Sequence, residues 1–129
     1  LKKKLIVRVF LSMEDKNYFI IEKIVGHIDK IASYIAGLEQ TMFLADTKAV
    51  EACVFNLLQM GELVGRLDEG FRKAHADIPW FKIRGLRNKI AHDYEGVSLE
   101  IIWDIVKDDL SVLRGQLADL WRKDKNSTG

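Results

Sequence analysis

The run Arg87-Asn88-Lys89-Ile90-Ala91-His92-Asp93-Tyr94 sets a permanent cation, a titratable imidazole and a phenol within eight residues. A guanidinium stays protonated in proteins and offers phosphate oxygens a planar fork of donors. Imidazole has the unperturbed pKa that lets a side chain take and return protons near neutrality. Together they can break a phosphodiester: one moves the proton of an attacking hydroxyl, the other stabilises charge gathering on the phosphoryl oxygens. The surroundings favour a polyanion. Between residues 71 and 92, Arg72, Lys73, Lys82, Arg84, Arg87 and Lys89 are offset only by Asp77.

The spacing leaves the geometry open. Arg87 and His92 are five residues apart, and a helix advances about 100° per residue, so on one helix they are rotated by about 140° and do not share a face. Asn88 and His92, four apart, do lie one above the other. A long arginine can curl toward the histidine, the helix can loosen near His92, or the Arg of one subunit can serve the His of another.

The elements that must carry these residues are helical. One Pro and nine Gly leave few breakers in 129 residues, and 48% hydrophobic composition suits one globular domain. Ile21, Ile24, Val25, Ile28, Ile31, Ala32 and Ile35 predict a first helix over 15–37, capped by Asp15 and stopped by Gly37. Val50, Cys53, Val54, Leu57, Met60, Val64 and Leu67 predict a second over 47–68, with Asp46 as N-cap. Inside it, Gly61 and Gly65 cost roughly 1 kcal/mol each against Ala, which close approach of another helix would offset.

Pro79 suits the first turn of a third helix ending near His92, because its missing N–H is not needed there. Gly96 marks a break. Ser98 then caps a fourth helix, 99–121, with Leu99, Ile102, Trp103, Val106, Leu110, Leu113, Leu117 and Leu120 as its apolar stripe. The expected fold is an all-α, up-and-down four-helix bundle. Residues 122–129 read as a polar, frayed tail.

Net charge is only +1, and without residues 1–12 the balance is 16 basic against 19 acidic, so any nucleic-acid contact must be local. A lone Cys53 excludes an internal disulfide and suits a reducing cytoplasm; on the apolar stripe it reads as core. With three His and no paired ligand spacing, no metal site is expected. Residues 1–12 resemble a signal peptide superficially but lack a cleavage site and are too short to span a bilayer. They read as an upstream extension or vector-derived leader.

Blander readings stand beside the sharp ones. His92 could be a surface histidine whose protonated form the helix dipole favours. Arg87 could pair with Asp93 or Glu95, Asn88 could be a solvated polar residue, and Tyr94 a half-buried aromatic. His27 and His75 read as structural or solvent-facing. Trp80 and Phe81 could stack on bases, but aromatics beside the only Pro are more often packing anchors; Trp103 reads as core.

For Arg87, Asn88, His92 and Tyr94 the longer context favours the sharper readings. Ile78-Pro79-Trp80-Phe81-Lys82-Ile83-Arg84-Gly85-Leu86 leads into the Arg-x4-His-x-Tyr run, Gly96-Val97 and Ile101-Ile102-Trp103 follow it, and Ala52 to Glu62 lies upstream. This pattern resembles the HepT-like branch of the HEPN ribonucleases over roughly residues 14–121, which makes 13–121 the HEPN-like helical domain. The resemblance implies a homodimeric, all-α endoribonuclease toxin. It also implies an MNT-type nucleotidyltransferase antitoxin that attaches AMP to Tyr94. Arg87, Asn88 and His92 are then catalytic, Lys82, Arg84 and Lys89 contact RNA (tRNA or mRNA), and no cofactor is called for. The reading from another class is a non-catalytic helical adaptor that binds a nucleotidyltransferase or a nucleotide, with Arg87 as a phosphate clamp.

Overall fold

A computed structural model describes residues 12–127, and they form the expected all-α bundle, with no strand among them. Residues 1–11, and with them most of the expected N-terminal extension, lie outside the described residues. Helix α1 spans Ser12–Ile35, α2 Gln40–Ala45, α3 Thr47–Arg66, α4 Glu69–Ala74 and α5 Trp80–His92. The last rod comprises α6 (Leu99–Asp104), a π-helical turn (Ile105–Asp109) and α7 (Leu110–Ser127).

The ends of these helices follow local chemistry. Helix α1 is already helical at Ser12, so Asp15 lies inside it and is not its cap. At its other end Gly37 adopts φ 78°, a left-handed conformation that turns the chain away. The carboxylate of Asp46 accepts the Ala49 N–H at 3.0 Å and starts α3 as expected. Ser98 caps α6 through the Ile101 N–H at 3.4 Å. Pro79 sits just outside α5, where its carbonyl accepts the N–H groups of Lys82 and Ile83.

Two six-residue helices, α2 and α4, have no counterpart among the expected elements, being too short for a 3.6-residue period to register. Packing holds each. Phe43 of α2 is fully buried with its ring 5.1 Å from that of Trp103, and Phe71 of α4 meets Tyr18 edge-to-face at 5.6 Å. The predicted single fourth helix contains a π turn that periodicity does not signal, yet its stripe stays buried from Ile102 to Leu120. It also runs on to Ser127, beyond the point where a frayed tail was expected.

Helix α3 is the centre of the bundle, packed against α1 on one side and α5 on the other, while α7 covers α1 and α6 meets α2. Ile21, Ile24, Ile31, Met60, Val64, Ile102 and Leu117 are among its most buried residues. Cys53 is fully buried, and burial pushes its thiol up to about 11, as suits a core residue and not a nucleophile.

Polar ties link the rods. Arg114 on α7 donates through Nε and Nη2 to the two carboxylate oxygens of Asp29 on α1, at 2.6 and 3.1 Å; that hydrogen bonding holds the Asp29 carboxyl below its ordinary range. His27 meets Asn56 Oδ1 at 2.7 Å, and the Asn56 amide donates to the Ala52 carbonyl at 2.8 Å, so Nδ1 of His27 carries the hydrogen. His27 is therefore structural. No helix among the described residues is long and apolar enough to cross a membrane.

Candidate active site

The Arg-x4-His segment rides on α5, which remains α-helical through His92 and closes with the Asp93 N–H donating to the Lys89 carbonyl at 2.9 Å. The helix does not loosen within the motif. The rotation of about 140° between Arg87 and His92 therefore stands.

Arg87 is fixed by its neighbours on α3. Gly61 is buried at the crossing, and a Cβ built there would overlap Cβ and Cγ of Arg87 and come within 3.4 Å of the Ile83 carbonyl. One turn further along, Gly65 faces the Arg84 guanidinium at 3.6 Å. The two glycines are the places where α5 rests on α3. From this contact the Arg87 guanidinium reaches Glu62 through Nη2, while Nη1 donates to Asn88 Oδ1 at 3.1 Å. It is turned toward α3, not curled toward His92.

The ion pair is with Glu62, not with Asp93 or Glu95, the partners that the blander reading of Arg87 offered. Glu62 is the residue that the sequence reading missed. Its signal was the neighbouring Gly61, which marks where another helix approaches and hence which side chains stand at that contact.

His92 and Asn88 stand exposed on α5. Beyond the helix end, Asp93 accepts the Gly96 N–H at 3.0 Å, and the Tyr94 carbonyl accepts the Val97 N–H at 3.1 Å. A side chain at Gly96 would collide with the Asp93 carboxylate. This turn spends Asp93 on the backbone and leaves Tyr94 42% exposed, two residues from the imidazole.

The cations expected to hold a polyanion divide. Lys82 and Arg84 line a groove of about 650 Å³ at the α4–α5 corner together with Arg72, Lys73, Trp80 and Phe81. Lys89 is exposed on α5 but is not part of that lining. The two adjacent aromatics also divide. Trp80 is the anchor, 6% exposed, its indole N–H donating to the His75 carbonyl at 3.0 Å. Phe81 is 89% exposed, and the expectation that it too packs inside is wrong: α5 turns its Trp80 side to the core, and the next position, about 100° further round the helix, faces water.

Comparison with known proteins adds an independent line. The sequence profile of the family described as "Ribonuclease HepT-like" matches residues 24–120. A relative from Caldanaerobacter subterraneus, whose name provisionally calls it an RNase, is 30% identical over 105 residues, covering 81% of this chain and 94% of the relative. The "Probable ribonuclease HepT" of Thermococcus cleftensis is 30% identical over 110 residues, covering 85% and 98%. A Methanocaldococcus jannaschii chain, likewise provisionally named an RNase, is 36% identical over 89 residues, covering 66% and 74%. No solved structure matches the chain significantly.

Proposed function

The chain belongs to the HepT-like ribonuclease family, and from that membership we propose that it is a metal-independent endoribonuclease, the toxin of a type II toxin–antitoxin pair. The observation that supports this most is the placement of Arg87, Asn88 and His92 along one unbroken helix, with Arg87 held at a glycine contact and His92 free to meet a substrate.

In the mechanism, His92 removes the proton from a ribose 2′-hydroxyl. The 2′-oxygen attacks the adjacent phosphorus, the bond to the 5′-oxygen breaks, and the imidazolium returns its proton to that leaving oxygen. The products are a 2′,3′-cyclic phosphate and a 5′-hydroxyl. Arg87 stabilises the charge on the non-bridging oxygens; Glu62 is met through Nη2 and Asn88 through Nη1, which leaves Nε and the remaining N–H groups for phosphate. DNA lacks the attacking hydroxyl and is inert.

The active form is a homodimer. Because the guanidinium of Arg87 is turned toward α3, the phosphate served by His92 receives the arginine of the second subunit, and two short basic segments combine into one RNA groove. A nucleotidyltransferase antitoxin silences the enzyme by placing AMP on Tyr94.

The test is purified, partner-free protein on total RNA in the presence of chelator. Wild type should cut and leave cyclic phosphate ends, whereas His92→Ala should not, with melting unchanged within about 0.5 kcal/mol as for an exposed site. Cleavage by folded His92→Ala at the wild-type rate would remove the assignment. Activity lost to chelator and restored by magnesium would replace it with a metal mechanism.

A further inference from the structure

Phe81 is the most exposed large apolar side chain among the described residues. It sits in the α4–α5 groove with Arg72, Lys73, Lys82 and Arg84. Lys73 is drawn to Glu69 at 3.2 Å, but among the described residues Arg72, Lys82 and Arg84 make no ion pair. An aromatic ring left in water among unpaired cations offers a base a face to stack on and its flanking phosphates a set of counter-charges.

The orientation of α5 connects this groove to the motif. Phe81 and His92 are eleven residues apart, so they differ by about 20° around the helix and by about 16 Å along it. Gly85 and Asn88 fall between them on the same stripe. All four are exposed, and a Cβ at Gly85 would meet nothing within 4 Å, so the surface along the stripe is unobstructed. A single strand can lie along it from the ring to the imidazole.

We infer that the groove is a substrate subsite for single-stranded RNA, in which a base a few nucleotides from the scissile bond stacks on Phe81 while Arg72, Lys82 and Arg84 hold the adjoining phosphates. Single strands are selected because a duplex keeps its base faces stacked inside. The position of the subsite along the strand rests on the assignment of His92 made above; the binding itself does not.

Binding is measured with a fluorescein-labelled 2′-O-methyl oligoadenylate, which blocks the attacking hydroxyl. Phe81→Ala and Phe81→Leu should each weaken binding roughly tenfold or more, while Phe81→Trp keeps it, since stacking needs a ring and not merely apolar bulk. Replacing Arg72 and Lys82 by Gln should weaken binding and flatten its salt dependence. An RNA duplex of equal length should bind without regard to residue 81.

Equal affinity across the Phe81 variants overturns the subsite. So does a Phe81→Ala protein that binds RNA normally but changes oligomeric state on size exclusion, which would make the groove a protein interface. Phe81-dependent binding by a wild type that cuts no RNA would refute the ribonuclease reading and keep the groove. Intact cleavage with Phe81-independent binding would do the reverse.

Discussion

Gly61 on α3 and Arg87 on α5 touch so closely that a methyl group on the glycine would occupy the space of the arginine's own Cβ and Cγ. The contact joins a cost in helix propensity to a gain in position. A glycine in mid-helix is unfavourable by itself, but here it sets α5 on α3 and fixes the base of the side chain proposed to stabilise the phosphate.

Gly61→Ala should therefore destabilise the protein even though alanine is the better helix former. Overpacking a core contact costs about 1–3 kcal/mol, against roughly 1 kcal/mol recovered in propensity. Gly65→Ala is the control, because its Cβ would meet the Arg84 guanidinium at an ordinary 3.6 Å; it should be neutral or stabilising. Chemical denaturation of both variants checks this, and equal effects at the two positions would contradict the crossing at Gly61. Cleavage should fall in Gly61→Ala, since displacing α5 moves Arg87.

Glu62→Gln should lower kcat with little change in melting. The Glu62–Arg87 pair is partly exposed, and such pairs contribute about 0–1 kcal/mol to stability, so its consequence lies in aiming the guanidinium. A rate increase in steady-state kinetics would show instead that Glu62 holds Arg87 away from the phosphate.

The long helices were legible because burial repeats an apolar residue every three to four positions over four or more turns, as from Ile21 to Ile35 and from Val50 to Leu67. Helices α2 and α4 were not, because six residues hold less than two turns, and what fixes them is tertiary: Phe43 on Trp103 and Phe71 on Tyr18. At the site, residue types and spacing marked Arg87, Asn88, His92 and Tyr94. Spacing could not show that Arg87 faces Glu62, since that depends on a helix 25 residues upstream. Nor could it separate Trp80 from Phe81, because which of two neighbouring aromatics enters the core depends on the rotation of α5 about its own axis.

That rotation also bears on how the subunits cooperate. Arg87→Ala and His92→Ala proteins should each be inactive alone and folded. Mixed and allowed to exchange subunits, they should regain part of the wild-type rate, because a heterodimer holds one composite site with both native residues. Absence of rescue, with heterodimers verified by native mass spectrometry, would place both groups in one chain and require Arg87 to leave Glu62. A strictly monomeric protein that still cleaves RNA would contradict the shared site outright.

Tyr94 should be the point of control. It is 42% exposed in a turn held by the Asp93–Gly96 hydrogen bond, so the residue lies at the surface, where another enzyme can meet it without unfolding. Attached AMP brings a negative phosphate and a bulky adenosine beside His92, where the RNA phosphate must sit, and like charge repels the substrate as in regulation by phosphorylation. A nucleotidyltransferase with ATP should add about 329 Da per event, the mass of one AMP residue, and abolish cleavage by the same charge argument. Tyr94→Phe should gain no mass and stay an active nuclease that the transferase cannot silence. Intact-mass spectrometry coupled to a cleavage assay reads both. Mass added at another residue, or full activity after stoichiometric modification of Tyr94, would show that the phenol is not the switch.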